Sequence, residues 1–242
     1  MTERIEFENC RGQRLVGELH GTPDARAVIC CHGMLSWRGG TKHVFLAELL
    51  AERGIAALRF DFAGRGDSDG SLFDLSYSNN MEDLYGAVEA LAGRGVERLG
   101  LFGSSMGGAV ALLAAAREER VVAIATLAAV AHPELVAERH DADAFRERGY
   151  IETAEGRIGR GFYDDALSHD VCAAVRVLRA PLLVLHGDRD EVVPPSDAHD
   201  IAICARHASL EMVLGADHSF SDPVHMRPAM RQVADFLERY LS

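Results

Sequence analysis

Short apolar runs, rich in β-branched residues, recur along this chain, and most of them lack the alternation of a half-exposed strand. They are Ala27–Cys31, Ala56–Phe60, Leu99–Phe102, Val121–Leu127, Leu182–Leu185 and Leu210–Leu214. Strands covered on both faces require this pattern. Helix-compatible segments separate them: Lys42–Arg53, Asn80–Gly93, Gly107–Ala116, Ser196–Ala205 and Val224–Tyr240. In the last, Met226, Met230, Val233, Phe236 and Leu237 fall on one helical face. Alternating strands and helices predict an α/β architecture with a mostly parallel sheet. Ahead of it, Ile5–Asn9 and Leu15–His20, joined through Cys10-Arg11-Gly12-Gln13, predict an N-terminal antiparallel hairpin.

Residues 132–175 break this rhythm. Pro133–Arg148 reads as one charged helix, and Tyr150–Tyr163 as a small hairpin turning at Glu155-Gly156. We expect a single domain over residues 1–242, with 132–175 inserted above the sheet as a lid. The 242 residues are 48% hydrophobic and 26% charged, enough for one sizeable core. A formal net charge of -12 disfavours nucleic acid and anionic membranes as partners.

No apolar run is long enough to span a bilayer, and Met1-Thr2-Glu3-Arg4-Ile5-Glu6 has no signal-peptide core, so a cytoplasmic protein is expected. The five cysteines, odd in number and irregularly spaced, read as buried free thiols, with no metal-ligand spacing among them.

Chemistry concentrates in Gly103-Ser104-Ser105-Met106-Gly107-Gly108, a G-x-S-x-G pattern centred on Ser105. It directly follows one predicted strand and precedes one predicted helix. That placement suits a tight elbow, which lifts the hydroxyl clear of the sheet and needs glycines around it. A serine hydroxyl is a weak nucleophile at neutral pH, so it needs a base, and the base needs an orienting acid. With such an elbow the acid and then the histidine follow in the chain. Asp188 and Asp190 both lie just after the Leu182–Leu185 strand, and His218 lies in the loop after the last strand. An oxyanion hole requires two backbone N–H groups. Met106, after the serine, supplies one, and Met34 in His32-Gly33-Met34-Leu35 supplies the other; His32 is a candidate for holding that loop.

Taken together, His32-Gly33, Asp61-Phe62-Ala63-Gly64-Arg65-Gly66-Asp67-Ser68, the Ser105 elbow, the Asp190 turn and Gly215–His218 resemble the α/β-hydrolase superfamily in nearly full-length order. The chain is most similar to bacterial esterases of the cinnamoyl and feruloyl type and to serine-aminopeptidase-like (S33) hydrolases. The resemblance implies an α/β-hydrolase fold and a Ser105–His218–Asp190 triad. In the family's G-x-x-D-x-x-V-P turn the second acid acts, and Gly187–Pro194 fits it, which selects Asp190 over Asp188. It also implies that the Asp61–Ser68 segment shapes a loop.

The expected function is therefore hydrolysis of small acyl or aryl esters through an acyl-serine, without metal or organic cofactor. Tyr150, Phe162 and Tyr163 are candidates for facing the acyl group. A thioesterase, peptidase or acyl transferase would use the same triad, and a non-catalytic binding protein can carry the same fold. The oligomeric state is not legible from the residues.

Overall fold

The computed structural model describes residues 1–139 and 142–242. The apolar runs become strands, each within a few residues of its expected position, and all but the last, Ala208–Val213, are buried almost throughout. In chain order the strands and helices begin with β1 (Thr2–Glu8), β2 (Arg14–His20), β3 (Arg26–Cys31), α1 (Thr41–Glu52), β4 (Ala56–Phe60), α2 (Tyr77–Ala92), β5 (Arg98–Ser104), α3 (Met106–Ala115) and β6 (Val121–Leu127). They continue with α4 (Pro133–Arg139), α5 (Ala142–Arg148), β7 (Tyr150–Thr153), β8 (Gly156–Gly159), α6 (Arg160–Ala166), α7 (Val171–Val177), β9 (Leu182–Gly187), α8 (Pro195–Cys204), β10 (Ala208–Val213) and α9 (Pro223–Leu241). A 3₁₀ turn, Leu72–Asp74, precedes α2.

Eight strands form one sheet in the order β1-β2-β4-β3-β5-β6-β9-β10. β1 and β2 pair antiparallel, as expected, and β2 meets β4 antiparallel. The remaining pairs, from β4 through β10, are parallel. This is the α/β-hydrolase fold. One buried layer packs α1 and α9 against the sheet through Leu46, Leu50, Met230, Val233 and Leu237. The opposite layer carries α2, α3, α7 and α8, with Leu84, Val88, Val110, Leu112, Val175 and Ile201. After β3 the chain goes to one side for β4 and returns to the other side for β5. The strand order therefore reverses at the β3/β5 boundary, and groups at the carboxyl ends of those strands face a crevice there.

Between β6 and β9 the outcome differs in detail from the sequence reading. The stretch expected as one charged helix is described as two, α4 and α5; residues 140 and 141 lie outside the described residues. The small hairpin is present, but Thr153 pairs with Gly156, so the turn is Ala154-Glu155. Two helices, α6 and α7, were not expected; each is only seven residues long, too short for helical periodicity to stand out. Phe145, Ile158 and Phe162 enter the same buried cluster as the α2–α3 layer. The interval 132–175 ends inside α7, which packs on α3 and α8.

Candidate active site

Ser105 lies where β5 turns into α3, with φ of 56°, a conformation costly for any residue but glycine. The turn closes because its neighbours lack side chains. A Cβ on Gly103 would strike the Gly107 carbonyl, and one on Gly107 would strike the carbonyls of Cys31 and His32. Ser105 N–H donates to Leu127 O at 3.0 Å, tying the elbow to the next strand. Ser104, the rival within the motif, is buried as the last residue of β5.

The structure brings Ser105, His218 and Asp190 together from three separate strand-to-helix connections. His218 Nε2 lies 3.0 Å from Ser105 Oγ, and His218 Nδ1 lies 2.7 Å from Asp190 Oδ2. This pattern assigns an Nδ1–H that donates to the carboxylate, leaving Nε2 to accept from the serine. Asp190 Oδ1 accepts from Val192 N–H at 2.9 Å and Val193 N–H at 2.8 Å. Burial alone would push the Asp190 carboxyl up. Hydrogen bonds from His186, His218 and Val193 outweigh it and hold the group well below the usual carboxylate range. Asp188 has other work: its Oδ1 accepts from Gly215 N–H at 2.6 Å, fixing the loop that leads to His218.

Gly33 lies against the elbow; a Cβ there would sit 3.3 Å from Ser105 Cβ and 3.4 Å from Ser104 O. Among the described residues neither Met34 N–H nor Met106 N–H has an acceptor. His32 holds this loop. Its Nδ1 donates to Gly33 O at 2.8 Å, and its Nε2 accepts from Phe62 N–H at 3.1 Å. Both ring nitrogens are thus used by a neutral imidazole, and burial pushes its pKa down to about 4. The Asp61–Ser68 segment folds as a loop around buried Asp61, which accepts from Arg38 N–H at 2.7 Å and from Asp67 N–H at 3.1 Å. Gly66, at φ of 50°, leaves room for that carboxylate.

Sequence reasoning missed three groups here. His186, fully buried, places Nε2 3.1 Å from Asp190 Oδ2 and 3.1 Å from Val193 O. Lys42 Nζ donates to Ser219 O at 3.4 Å beside the His218 loop; burial pushes its pKa down to about 8, while Asp190 and Asp217 pull it up. Tyr77 lines the cavity beside Ser105. That cavity measures about 290 Å³, and Met34, Met106, Val130, Val136, Val192 and Val193 give it a largely apolar wall. Arg139 and Glu191 are also at its wall, and Arg139 Nη1 donates to Val192 O at 3.4 Å. An open groove of about 490 Å³ borders His218, with Arg189, Asp217 and Ser219, and shares Glu191 and Val192 with the cavity.

The aromatic residues expected to face the acyl group do not line this cavity. Phe162 stacks behind Tyr77 at 6.0 Å, Tyr163 Oη accepts from Arg146 at 2.6 Å, and Tyr150 lies beneath the Arg157 guanidinium. Aromatic residues on short helices pack inward here because those helices have little else to bury. All five cysteines are free, but only Cys30 and Cys31 are buried; Cys10 is exposed, and Cys172 and Cys204 are half-buried. Among the described residues no cluster of three or more His, Cys, Asp or Glu could hold a metal ion, and no helix is long and apolar enough to cross a membrane.

The family described as "Serine aminopeptidase, S33" matches residues 22–146, a span that holds Ser105 but neither Asp190 nor His218. The chain is 27% identical over 251 residues to palmitoyl-protein thioesterase ABHD10, mitochondrial, of Mus musculus, covering 98% of this chain and 81% of the relative. Among solved structures it is similar to Est1E from Butyrivibrio proteoclasticus with ferulic acid bound. That likeness has a TM-score of 0.88 at 23% identity and covers 97% of this chain and 98% of the other. Mouse alpha/beta hydrolase domain-containing protein 10 superposes with a TM-score of 0.82 at 23% identity, covering 98% and 99%. These structural likenesses concern the fold.

Proposed function

The chain belongs to the serine aminopeptidase (S33) family, and from that premise we propose that it is a serine esterase, cleaving small acyl or aryl esters through an acyl-serine. The hydrogen-bonded chain from Asp190 through His218 to Ser105 Oγ carries this reading. His218 Nε2 takes the hydroxyl proton as Ser105 Oγ attacks the acyl carbon. Asp190, held ionised by its donors, steadies the imidazolium that forms. The N–H groups of Met34 and Met106 receive the oxyanion; one such donor is typically worth about 3 kcal/mol of barrier. His218 returns the proton to the leaving alcohol, which departs along the open groove at its side, and water then releases the acyl group by the reverse path. No step asks for a metal or organic cofactor. The acidic surface and free thiols suit a small-molecule hydrolase of the cytoplasm, without nucleic acid or membrane as partner.

Ser105→Ala tests the reading. Turnover of activated esters should fall by at least about 10³-fold, and a fluorophosphonate should label wild-type protein at Ser105 only. Wild-type turnover surviving the substitution would sink it; absence of both turnover and labelling would favour a binding protein on this fold. A thioesterase is the second reading, because the relative that matches 98% of this chain bears that activity in its name. A peptidase or acyl transferase would differ only in the acyl donor or acceptor. Matched ester, thioester and amide substrates with one acyl group separate these readings.

A further inference from the structure

Tyr77 stands at the wall of the cavity that holds Ser105, and its side chain is fully buried. Its hydroxyl has no hydrogen-bond partner among the described residues. An unpaired buried hydroxyl is costly, and native structures rarely leave one without a use. The ring is also held firmly. Phe162 stacks on it at 6.0 Å with an interplanar angle of 22°, and His169 lies 5.9 Å away.

Both flanking residues are pinned. Ser76 caps α2 by accepting from Asn79 N–H at 3.0 Å. Ser78 donates twice to Asp165, N–H to Oδ2 at 3.0 Å and O–H to Oδ1 at 2.5 Å. A phenol fixed on both sides and stacked on a buried ring is preorganised, so a partner that meets it avoids the entropy of ordering it. The wall is otherwise mostly apolar, with Ser105, Arg139 and Glu191 as its other polar residues, so Tyr77 is one of few polar side chains bordering an acyl-sized space. Burial, with the carboxylates of Asp165, Glu134 and Asp197 nearby, keeps the phenol protonated, so it offers an O–H to an acceptor.

We propose that Tyr77 is a specificity residue, and that the acyl group cleaved here carries a hydroxyl or carbonyl oxygen, remote from the scissile bond, that accepts from Tyr77 Oη. This rests on the reading that Ser105 is acylated. A plain saturated chain would fill the same volume and leave the hydroxyl unpaired. A site built around a hydrogen bond rejects the analogue that lacks it, because the protein's own polar group is then stranded.

The test uses pairs of 4-nitrophenyl esters with chains of equal length, one saturated and the others with a single hydroxyl or ketone walked along the chain. For at least one position, wild-type kcat/KM should exceed that of the saturated ester by about 10-fold or more. In Tyr77→Phe that ratio should collapse towards one, and the unliganded variant should melt at or above the wild-type temperature because the stranded hydroxyl is gone. A wild-type enzyme that prefers no oxygenated position overturns the proposal without recourse to any variant, as does a preference that survives Tyr77→Phe. Acetyl-ester turnover in wild type and Ser105→Ala keeps the two readings apart. Turnover independent of Ser105 means the hydrolase reading has failed; Ser105-dependent turnover with a flat acyl profile means that only the role of Tyr77 has failed.

Discussion

His186 Nε2 approaches Asp190 Oδ2 to 3.1 Å, so the carboxylate oxygen that meets His218 is shared between two imidazoles. His186 is fully buried, and its Nδ1 has no partner among the described residues. The pattern therefore assigns Nε2 as the donor nitrogen. Its place is to hold the acid while the acid holds the base. Removing it in His186→Ala strips a donor from a buried carboxylate and should cost about 1–3 kcal/mol of stability in urea unfolding at neutral pH. kcat should fall more than KM changes. His186→Gln, which still donates, should recover part of both losses.

Acid should weaken this protein before its carboxylates protonate. His32 is neutral and doubly bonded in the fold, with a pKa of about 4 against 6.5 for the free side chain. Between those values the unfolded chain binds a proton that the folded one refuses. Stability therefore falls as pH drops from 6.5 to 4, by about 3 kcal/mol for this residue. Buried His43 is also pushed far down and adds in the same direction. Melting temperature followed across this range should drop steeply in wild type and less steeply in His32→Gln. Asp190 acts at lower pH, because a depressed carboxyl loses its contribution only as pH falls below the ordinary carboxylate value.

Backbone strain at Ser105 gives a prediction of opposite sign for stability and activity. A non-glycine residue at φ of 56° with ψ of -127° costs about 1–3 kcal/mol. Ser105→Gly should raise the melting temperature while abolishing ester turnover. A variant that melted lower would mean the elbow is not strained.

Gly33 faces Ser105 so closely that Gly33→Ala places a methyl 3.3 Å from its Cβ, tighter than ordinary contact. The loop bearing Met34 N–H must then shift. We expect kcat for activated esters to fall about 10-fold or more, with KM little changed, since displacements of well under 1 Å matter at a reacting centre.

The two acids of the 188–190 turn should separate cleanly. Asp190→Asn should reduce kcat by about 10⁴-fold, as loss of the orienting carboxylate does in such triads. Asp188→Asn only weakens the tie to Gly215 N–H and should cost roughly 10-fold or less.

The central strands were legible in the sequence because they are buried almost throughout and, Arg59 apart, mostly apolar; Ala56–Phe60 and Val121–Leu127 match residue for residue. The Ser105 elbow was legible because its glycines answer a steric demand that other residues cannot meet. The α4–α6 region was not, since its short helices take their stability from a few aromatic contacts that leave no period to read. Tyr77 escaped for a related reason. It opens α2 three residues before the helix expected from the sequence at Asn80, and only the tertiary arrangement brings it to the serine's cavity. His186 was hidden as one more residue of an apolar strand end, where its partner lies four residues on across a tight turn.

The hydrogen-bonded chain at the site joins residues 113 and 28 positions apart. Ser105 is laid down well before His218, which follows only after β10 has been made. An emerging polypeptide can thus build the elbow, the Gly33 loop and half the sheet while its serine still lacks a base. On the proposed mechanism, reactivity arrives in a single late step, with the last parallel strand, so a growing or prematurely arrested chain stays inert towards the molecules around it.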